Sequence, residues 1–242
     1  MSVPLPSGFR YRTIDADGVR INCAVGGDGP PLLLLHGYPQ THLIWHRVAP
    51  ELASEFTVVV ADLRGYGDSD KPDTGYSKRL MARDQLLVMR ALGFERFAVA
   101  GHDRGGRVAH RLALDSPEAV TALAVLDIVP TRFAFEHADK AFGLGFSDPA
   151  AIRASCEDYR AAASIDLEHD AVDAGRKLTC PTLVLWGEHS FVGTNYDVLA
   201  AWREYAAEPV GEALPCDHYL PEEQPGSTAS AMRRFFGGPI SR

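Results

Sequence analysis

The segment that decides the fold is Phe97-Ala98-Val99-Ala100-Gly101-His102-Asp103-Arg104-Gly105-Gly106. A short apolar run ends at a glycine, and a helical pattern begins at Arg104. This order is typical of the nucleophile elbow, G-x-S-x-G, with Asp103 where serine usually stands. The elbow requires glycines because side chains at Gly101 and Gly105 would collide with the neighbouring strand and helix. The alternative is an ordinary glycine-rich turn in which Asp103 caps the helix.

The rest of the chain alternates between strand and helix patterns on either side of this elbow. Other short apolar runs are typical of strands buried on both faces: Leu32–Leu35, Phe56–Ala61, Leu123–Leu126 and Leu183–Trp186. An antiparallel hairpin, Tyr11–Ile14 with Val19–Cys23, precedes them. Helical patterns cover Leu80–Leu92, Arg104–Asp115, Val198–Ala206 and Ser230–Phe236. The sequence therefore predicts a mostly parallel α/β sheet with helices on both faces and its chemistry at the carboxyl ends of the strands.

One segment interrupts this alternation. Residues 131–179 have helical stretches but no convincing strand, and they fall between two buried apolar runs. We interpret them as a reduced cap or lid, inserted into a core formed by residues 1–130 and 180–242. The length of 242 residues fits this one domain.

Composition excludes several classes of function. A net charge of −8 argues against nucleic acids and anionic membranes as partners. The four cysteines show neither a disulfide framework nor zinc-ligand spacing, so we expect reduced, buried thiols. The N-terminus lacks the pattern of a signal peptide, and no apolar stretch approaches the roughly 20 residues of a membrane span. We therefore expect a cytoplasmic protein.

An aspartate at the elbow changes the chemistry that the fold can perform. A carboxylate is a poor acyl-transfer nucleophile but can displace a leaving group from saturated carbon, which makes an alkyl ester of Asp103. Water must then hydrolyse the ester, which requires a base and an oxyanion hole.

The base and its acid partner are expected near the end of the chain. In proteins with this kind of nucleophile elbow, the catalytic histidine follows the nucleophile and the acid in the chain, so His218 is the candidate base. The acid is either Asp127, which directly follows Leu123–Leu126, or Glu188, which follows the later strand. We prefer Asp127, because Ser190 occupies the position a few residues beyond that strand where the acid often lies.

The oxyanion hole is predicted from the loop after the first buried strand. His36-Gly37-Tyr38-Pro39 occupies the position of the second oxyanion loop. The backbone N–H groups of Tyr38 and Arg104 would hold the ester oxyanion. The alternative is a simple turn before a helix at Thr41–Arg47.

Two arginines next to the nucleophile indicate an anionic substrate. Arg104 and Arg107 are three residues apart at the start of a helix and share one face. A guanidinium binds a carboxylate in bidentate fashion, and the helix N-terminus adds positive potential. The alternative for Arg107 is a surface salt bridge, and we expect Arg111, one turn further, to be solvated. His42 and His46 lack the glutamate of a metalloprotease motif, and His102 and His110 are interpreted as structural.

These motifs resemble those of the fluoroacetate (haloacetate) dehalogenases of the α/β-hydrolase superfamily. The likeness begins at the elbow, Gly101 to Arg107, where related haloalkane dehalogenases and epoxide hydrolases usually carry tryptophan after the nucleophile. It continues in the segments His110–Asp115, Leu126–Thr131, His36–His42, Trp45–Arg47, Cys156–Arg160 and His218–Glu223.

The resemblance implies a reaction. Asp103 attacks the halogen-bearing carbon, Arg104 and Arg107 hold the substrate carboxylate, and His218, supported by Asp127, activates water against the ester. Haloacetate would give glycolate and halide without a metal or organic cofactor. The partner is then a small anionic organic substrate.

The lid departs from the pattern of the family. Its members carry a longer lid with a His-Trp pair that stabilises the halide, whereas here Gly145 runs straight into Phe146 and the only tryptophans lie elsewhere: Trp45, Trp186 and Trp202. Tyr159 is the candidate leaving-group contact. A short lid also exposes apolar surface and favours a homodimer. An epoxide hydrolase using Asp103 and a non-catalytic truncated scaffold remain the alternative functions.

Overall fold

The apolar runs form the strands of one sheet in the computed structural model, which describes residue 5, residues 8–137 and residues 149–238. The strands are β1 Arg10–Asp15, β2 Arg20–Gly26, β3 Pro31–Leu35, β4 Thr57–Ala61, β5 Phe97–His102, β6 Val120–Leu126, β7 Thr182–Gly187 and β8 Val210–Leu214. They form an eight-stranded sheet in the order β1-β2-β4-β3-β5-β6-β7-β8. The hairpin β1-β2 joins the sheet antiparallel, and the strands from β4 to β8 run parallel.

Helices cover both faces of the sheet. Their bounds are a 3₁₀ turn at His42–Trp45, α1 Ala49–Leu52, α2 Lys78–Ala91, α3 Arg104–Asp115, α4 Thr131–His137, α5 Pro149–Ala162, α6 Ile165–Val172, α7 Phe191–Asn195, α8 Val198–Arg203, α9 Leu220–Glu223 and α10 Pro225–Gly237. The predicted α3 has the bounds that the structure shows. The last helix begins before the predicted Ser230, because Pro225 is favourable in a first helical turn.

Alternate residues of the central strands pack into two different cores. Leu33 and Leu35 of β3 contact the cluster that includes α2, α3 and α8, whereas Leu32 and Leu34 contact the cluster on the opposite face. This explains why the strand reads as a continuous apolar run, since both of its faces are buried. The mostly parallel α/β sheet predicted from the sequence is confirmed.

The described part of the predicted lid consists of α4, α5 and α6. Between β6 and β7 the described residues form no named strand, only an isolated bridge from Leu178 to Ala206. The join at Gly145 and Phe146 lies outside the described residues. The boundaries of the cap at residues 131 and 179 stay predictions.

The thiols are free, as expected, but they are not all buried. Cys23 and Cys216 are buried, Cys180 is partly buried, and Cys156 is exposed on α5. The expectation was wrong for Cys156 because the lid helix turns it towards solvent. Within the described residues, no helix combines the length and apolar character that crossing a bilayer requires.

The close packing of the elbow against β3 predicts that a side chain at Gly105 lowers the stability of the protein. A Cβ atom at Gly105 would lie 2.3 Å from the backbone oxygen of His36, and this backbone cannot move without shifting β3. We expect Gly105→Ala to lower the free energy of unfolding by about 1–3 kcal/mol or more, measured by urea denaturation. Gly226→Ala in α10 is the matched control, because nothing lies within 4 Å of the added atom. Equal stability of the two variants would contradict the prediction.

Candidate active site

Asp103 occupies a strained turn between β5 and α3. Its backbone φ is 48°, a conformation that non-glycine residues rarely adopt. A Cβ atom at Gly101 would lie 2.2 Å from the oxygen of Gly105, so the collisions expected from the sequence are present. The turn holds the partly buried carboxylate of Asp103 at the carboxyl edge of the sheet, in front of α3.

The loop after β3 contacts this carboxylate directly. The backbone N–H of Tyr38 donates to Asp103 Oδ2 at 3.0 Å. A Cβ atom at Gly37 would lie 2.6 Å from Asp103 Cβ, so glycine is required for this approach. The N–H of Arg104 donates to no described residue, as expected for the first residue of a helix. Tyr38 and Arg104 therefore present the two backbone donors that the sequence assigned to an oxyanion hole.

His218 and Asp127 lie together. His218 Nδ1 is 2.6 Å from Asp127 Oδ2, and Asp127 is fully buried with a backbone φ of 49°. Its other oxygen, Oδ1, accepts hydrogen bonds from the N–H of Gly187 at 2.9 Å and the hydroxyl of Ser190 at 2.7 Å. Glu188, the alternative acid, is exposed. Ser190 thus fills the position of the later acid and orients Asp127 from there.

The local charges set the protonation of His218 and Asp103. Burial of His218 disfavours its charged form, but the hydrogen bond to Asp127 and the charge of Asp103 outweigh burial and raise the pKa of His218. Burial also acts to raise the pKa of Asp103. The neighbouring His218 and Arg104, with the Tyr38 N–H, outweigh it and hold the pKa of Asp103 below its ordinary value. Asp103 is therefore ionised at neutral pH.

The side chain of Arg104 contacts two residues of α5. Its Nη1 lies 3.0 Å from Asp158 Oδ2, and its guanidinium carbon lies 3.5 Å from the centre of the Tyr159 ring. Both partners belong to α5. Asp158, fully buried, also accepts hydrogen bonds from the hydroxyl of Tyr66 at 3.0 Å and from Lys78 of α2. The sequence singled out Arg104 but not the carboxylate that holds it.

Arg107 has a different environment. It forms no ion pair with any residue in the described part of the chain, and its buried Nε has no hydrogen-bond partner there. Burial and the charge of Arg104 together lower the pKa of Arg107 from its ordinary value, although the guanidinium stays charged at neutral pH. The surface salt bridge considered for Arg107 is absent among the described residues.

The expectation of a solvated Arg111 was wrong. Arg111 is 3% exposed and pairs with Asp115 and with Asp173, which follows α6. Asp173 and the end of α6 cover this turn of α3, so Arg111 makes a buried ion pair instead of facing solvent.

Asp62 is a site residue that sequence reasoning missed. It is fully buried at the end of β4, and its Oδ1 accepts from the backbone N–H and lies 2.8 Å from the Nδ1 of His42. Its Oδ2 accepts from the amide of Asn22 at 2.9 Å. Asp62 thereby anchors the loop that carries Tyr38. The signal was available, because Asp62 follows its apolar run as directly as Asp127 does.

The other histidines have local partners. His46 Nδ1 lies 2.9 Å from the backbone oxygen of Leu43, while His42 contacts Asp62, so the two rings do not share a ligand. His110 packs edge-on against Trp202, in agreement with a structural role. Among the residues described by the structure, no group of His, Cys, Asp and Glu is arranged to hold a metal ion.

Comparisons with known proteins agree with this geometry. Residues 30–151 match the α/β hydrolase fold family. A fluoroacetate dehalogenase from Burkholderia sp. is 41% identical, covering 94% of each chain. A soluble epoxide hydrolase from Corynebacterium sp. (strain C12) is 33% identical, covering 91% of this chain and 94% of that protein. An α/β-hydrolase crystal structure from Nostoc sp. PCC 7120 superposes with a TM-score of 0.90 at 46% identity, covering 94% of this chain and 98% of that one.

The chain belongs to the α/β-hydrolase family, among its haloacetate-dehalogenase-like members. The resemblance inferred from the elbow is therefore confirmed. The alignment with the Burkholderia protein runs over 285 residues, which exceeds the 242 residues of this chain. The alignment therefore includes positions of that relative that have no counterpart in this chain.

The protonation of His218 predicts how ester hydrolysis depends on pH. A histidine acts as a base only when neutral, so ester hydrolysis should rise with pH through the pKa of His218, which the hydrogen bond to Asp127 acts to raise. We expect Asp127→Asn to shift this limb to lower pH and to reduce kcat by roughly 10⁴-fold, because the hydrogen bond that raises the pKa and orients the ring is lost. Measuring kcat against pH for both proteins tests this. A limb at the same pH in both proteins would contradict it.

Proposed function

We propose that this protein is a hydrolytic dehalogenase that converts short 2-halocarboxylates, such as haloacetate, to the 2-hydroxy acid and halide. The observation that carries the proposal is the environment of Asp103. One oxygen of its carboxylate is held by the Tyr38 N–H, and Arg107, a partly buried arginine without an ion pair in the described chain, lies one helical turn away. The 41% identical fluoroacetate dehalogenase supports it.

The first step is displacement of the halide. Because Oδ2 of Asp103 faces the Tyr38 N–H, Oδ1 is the oxygen that attacks the halogen-bearing carbon. A carbon–oxygen bond forms as the carbon–halogen bond breaks, and the halide leaves with the bonding electrons. Oδ2 becomes the carbonyl oxygen of the ester, already placed in the oxyanion hole.

The second step is hydrolysis of the ester. His218 takes a proton from water at Nε2 while the water oxygen attacks Cγ of Asp103, and Asp127 stabilises the imidazolium. Negative charge develops on Oδ2, where the N–H groups of Tyr38 and Arg104 stabilise it. The bond from Cγ to the ester oxygen then breaks, and the departing alkoxide of glycolate takes the proton from His218. The new carboxylic acid of Asp103 releases its proton to solvent.

Arg104 and Arg107 contribute unequally to binding of the substrate carboxylate. The side chain of Arg104 already faces Asp158 and the Tyr159 ring, so part of its charge is compensated before substrate binds. Arg107 has no such partner in the described chain, so its guanidinium forms the main ion pair with the substrate. Its Nε is buried without a hydrogen-bond partner in the described chain, and an unpaired buried donor is costly, which favours binding of an anion there.

Tyr159 is the proposed contact for the leaving group. Its ring lies on Arg104 and edge-on to Tyr38, at 5.5 Å between ring centres, and both of these residues contact or adjoin Asp103. Its hydroxyl donates to no described residue.

A single phenol stabilises departing chloride or bromide better than fluoride, since fluoride demands more hydrogen-bond donors. We therefore expect faster turnover of chloroacetate than of fluoroacetate, with halide release measured for each under the same conditions.

Epoxide hydrolysis is the second candidate, because the Corynebacterium epoxide hydrolase is 33% identical over most of the chain. It would use Asp103 in the same way but needs an acid to protonate the epoxide oxygen. In the described part of α4 to α6, Tyr159 is the one tyrosine available. The arginines also favour an anionic substrate. Diol formation from styrene oxide, without halide release from chloroacetate, would favour this candidate.

The nucleophile provides the first test of the dehalogenase proposal. Asp103→Asn should abolish halide and glycolate release from chloroacetate, because a neutral amide does not displace halide. The native protein, trapped by rapid acid quench, should show the mass of a carboxymethyl ester on Asp103. Halide release at the native rate by Asp103→Asn, or neither product nor adduct in the native protein, would contradict the proposal.

The division of roles between the arginines provides the second test. Arg107→Met should raise KM for chloroacetate about 10²-fold or more, because a charge-assisted bidentate contact of roughly 3 kcal/mol is lost. Arg107→Lys should recover only part of the loss. Arg10→Met, at an exposed arginine of β1, removes the same charge far from the elbow and should leave KM unchanged. An unchanged KM in Arg107→Met would refute this role.

A further inference from the structure

His102 connects the nucleophile to the segment that carries the base. It is the last residue of β5, directly before Asp103, and it is fully buried. Its Nε2 lies 2.8 Å from the backbone oxygen of His218. The two imidazole rings also pack together, with 4.7 Å between their centres. The residue before the nucleophile thus contacts both the backbone and the ring of His218.

This contact determines the tautomer of His102. A carbonyl oxygen can only accept a hydrogen bond, so Nε2 must carry the proton. Nδ1 is buried and has no partner in the described chain. A Cβ atom at Gly37 would lie 2.9 Å from Nδ1, so the Gly37 backbone closes off that side of the ring. A second proton on Nδ1 would have no acceptor, and burial lowers the pKa of His102 to about 4.

We propose that His102 is a positioning residue that fixes His218 relative to Asp103 for ester hydrolysis. Two groups hold the base in place: Asp127 orients the imidazole from Nδ1, and His102 holds the backbone oxygen of the same residue. Because His102 and Asp103 are consecutive, the strand that presents the nucleophile also sets the distance to the base. Glu223 fixes the flanking N–H groups of Asp217 and Tyr219 but not this carbonyl.

The role predicts different effects on the two halves of the reaction. Displacement of halide uses Asp103 and does not need His218, whereas hydrolysis of the ester does. Loss of the Nε2 donor should therefore slow hydrolysis and leave displacement fast. A general loss of stability would slow both. This separation rests on the proposed ester mechanism.

The kinetic test uses variants with and without a donor. His102→Leu and His102→Met lack it, and two such variants guard against a failure to fold, checked by thermal melting. His102→Gln places an amide N–H where Nε2 lies. With chloroacetate, we expect the Leu and Met variants to release one equivalent of chloride at the native rate and then to turn over about 10–100-fold more slowly, with the Asp103 ester visible by intact mass.

His102→Gln should recover turnover to within a few-fold of native. Native turnover in folded Leu and Met variants, or equal loss in all three variants without an ester, would overturn the role of His102.

A second measurement does not depend on turnover. The Nδ1–H proton of His218 in the hydrogen bond to Asp127 gives a low-field NMR resonance. It should be lost or shifted in the Leu and Met variants and retained in His102→Gln. Absence of product and adduct from the native protein would reject the dehalogenase function while this resonance still tests the positioning. A resonance unchanged in all variants would overturn it.

Discussion

The close approach of three backbone segments at the carboxyl edge of the sheet is the constraint on which the site depends. The turn after β5, the loop after β3 and the first turn of α3 meet at distances that no side chain permits, at Gly37, Gly101 and Gly105. The strained φ of Asp103 persists because its surroundings hold it. The N–H of Asp103 donates to the backbone oxygen of Leu126, and the N–H of Asp127 donates to that of Leu185, so neighbouring strand ends fix one another.

Buried carboxylates organise the rest of the site. Asp62, Asp127 and Asp158 are each fully buried, and each accepts several hydrogen bonds or ion pairs. A buried charge is tolerated only when its lone pairs are satisfied, so each carboxylate fixes several groups at once. Asp62 fixes the loop after β3, Asp127 fixes the ring of His218, and Asp158 ties α5 to α2 and α3. The catalytic geometry thus depends on residues that follow strands or lie on the lid, and not on the elbow alone.

The sequence predicted the core and its elbow well, and the surroundings of the arginines poorly. Strands buried on both faces leave continuous apolar runs, and the elbow needs glycines at fixed spacing, so both are readable locally. The acid residue remained a choice between Asp127 and Glu188, because it depends on a contact across two strands. Asp158 was not found at all. Its importance arises because α5 packs against α2 and α3. Asp158 is more than fifty positions away in the chain from both Lys78 and Arg104, and no local sequence pattern indicates such contacts.

The anchorage of α5 limits how far a lid of this kind can be shortened. Asp158 is the counter-ion of Lys78 and Arg104, which are 2% and 4% exposed on the core side. Removing α5 would take away the ion-pair partner of the buried Arg104 and leave Lys78 with Asp166 of α6, 3.7 Å away. Breaking a buried ion pair in this way typically costs roughly 3–5 kcal/mol. Charge balance in the interior thus limits how far the segment that carries α5 can be shortened.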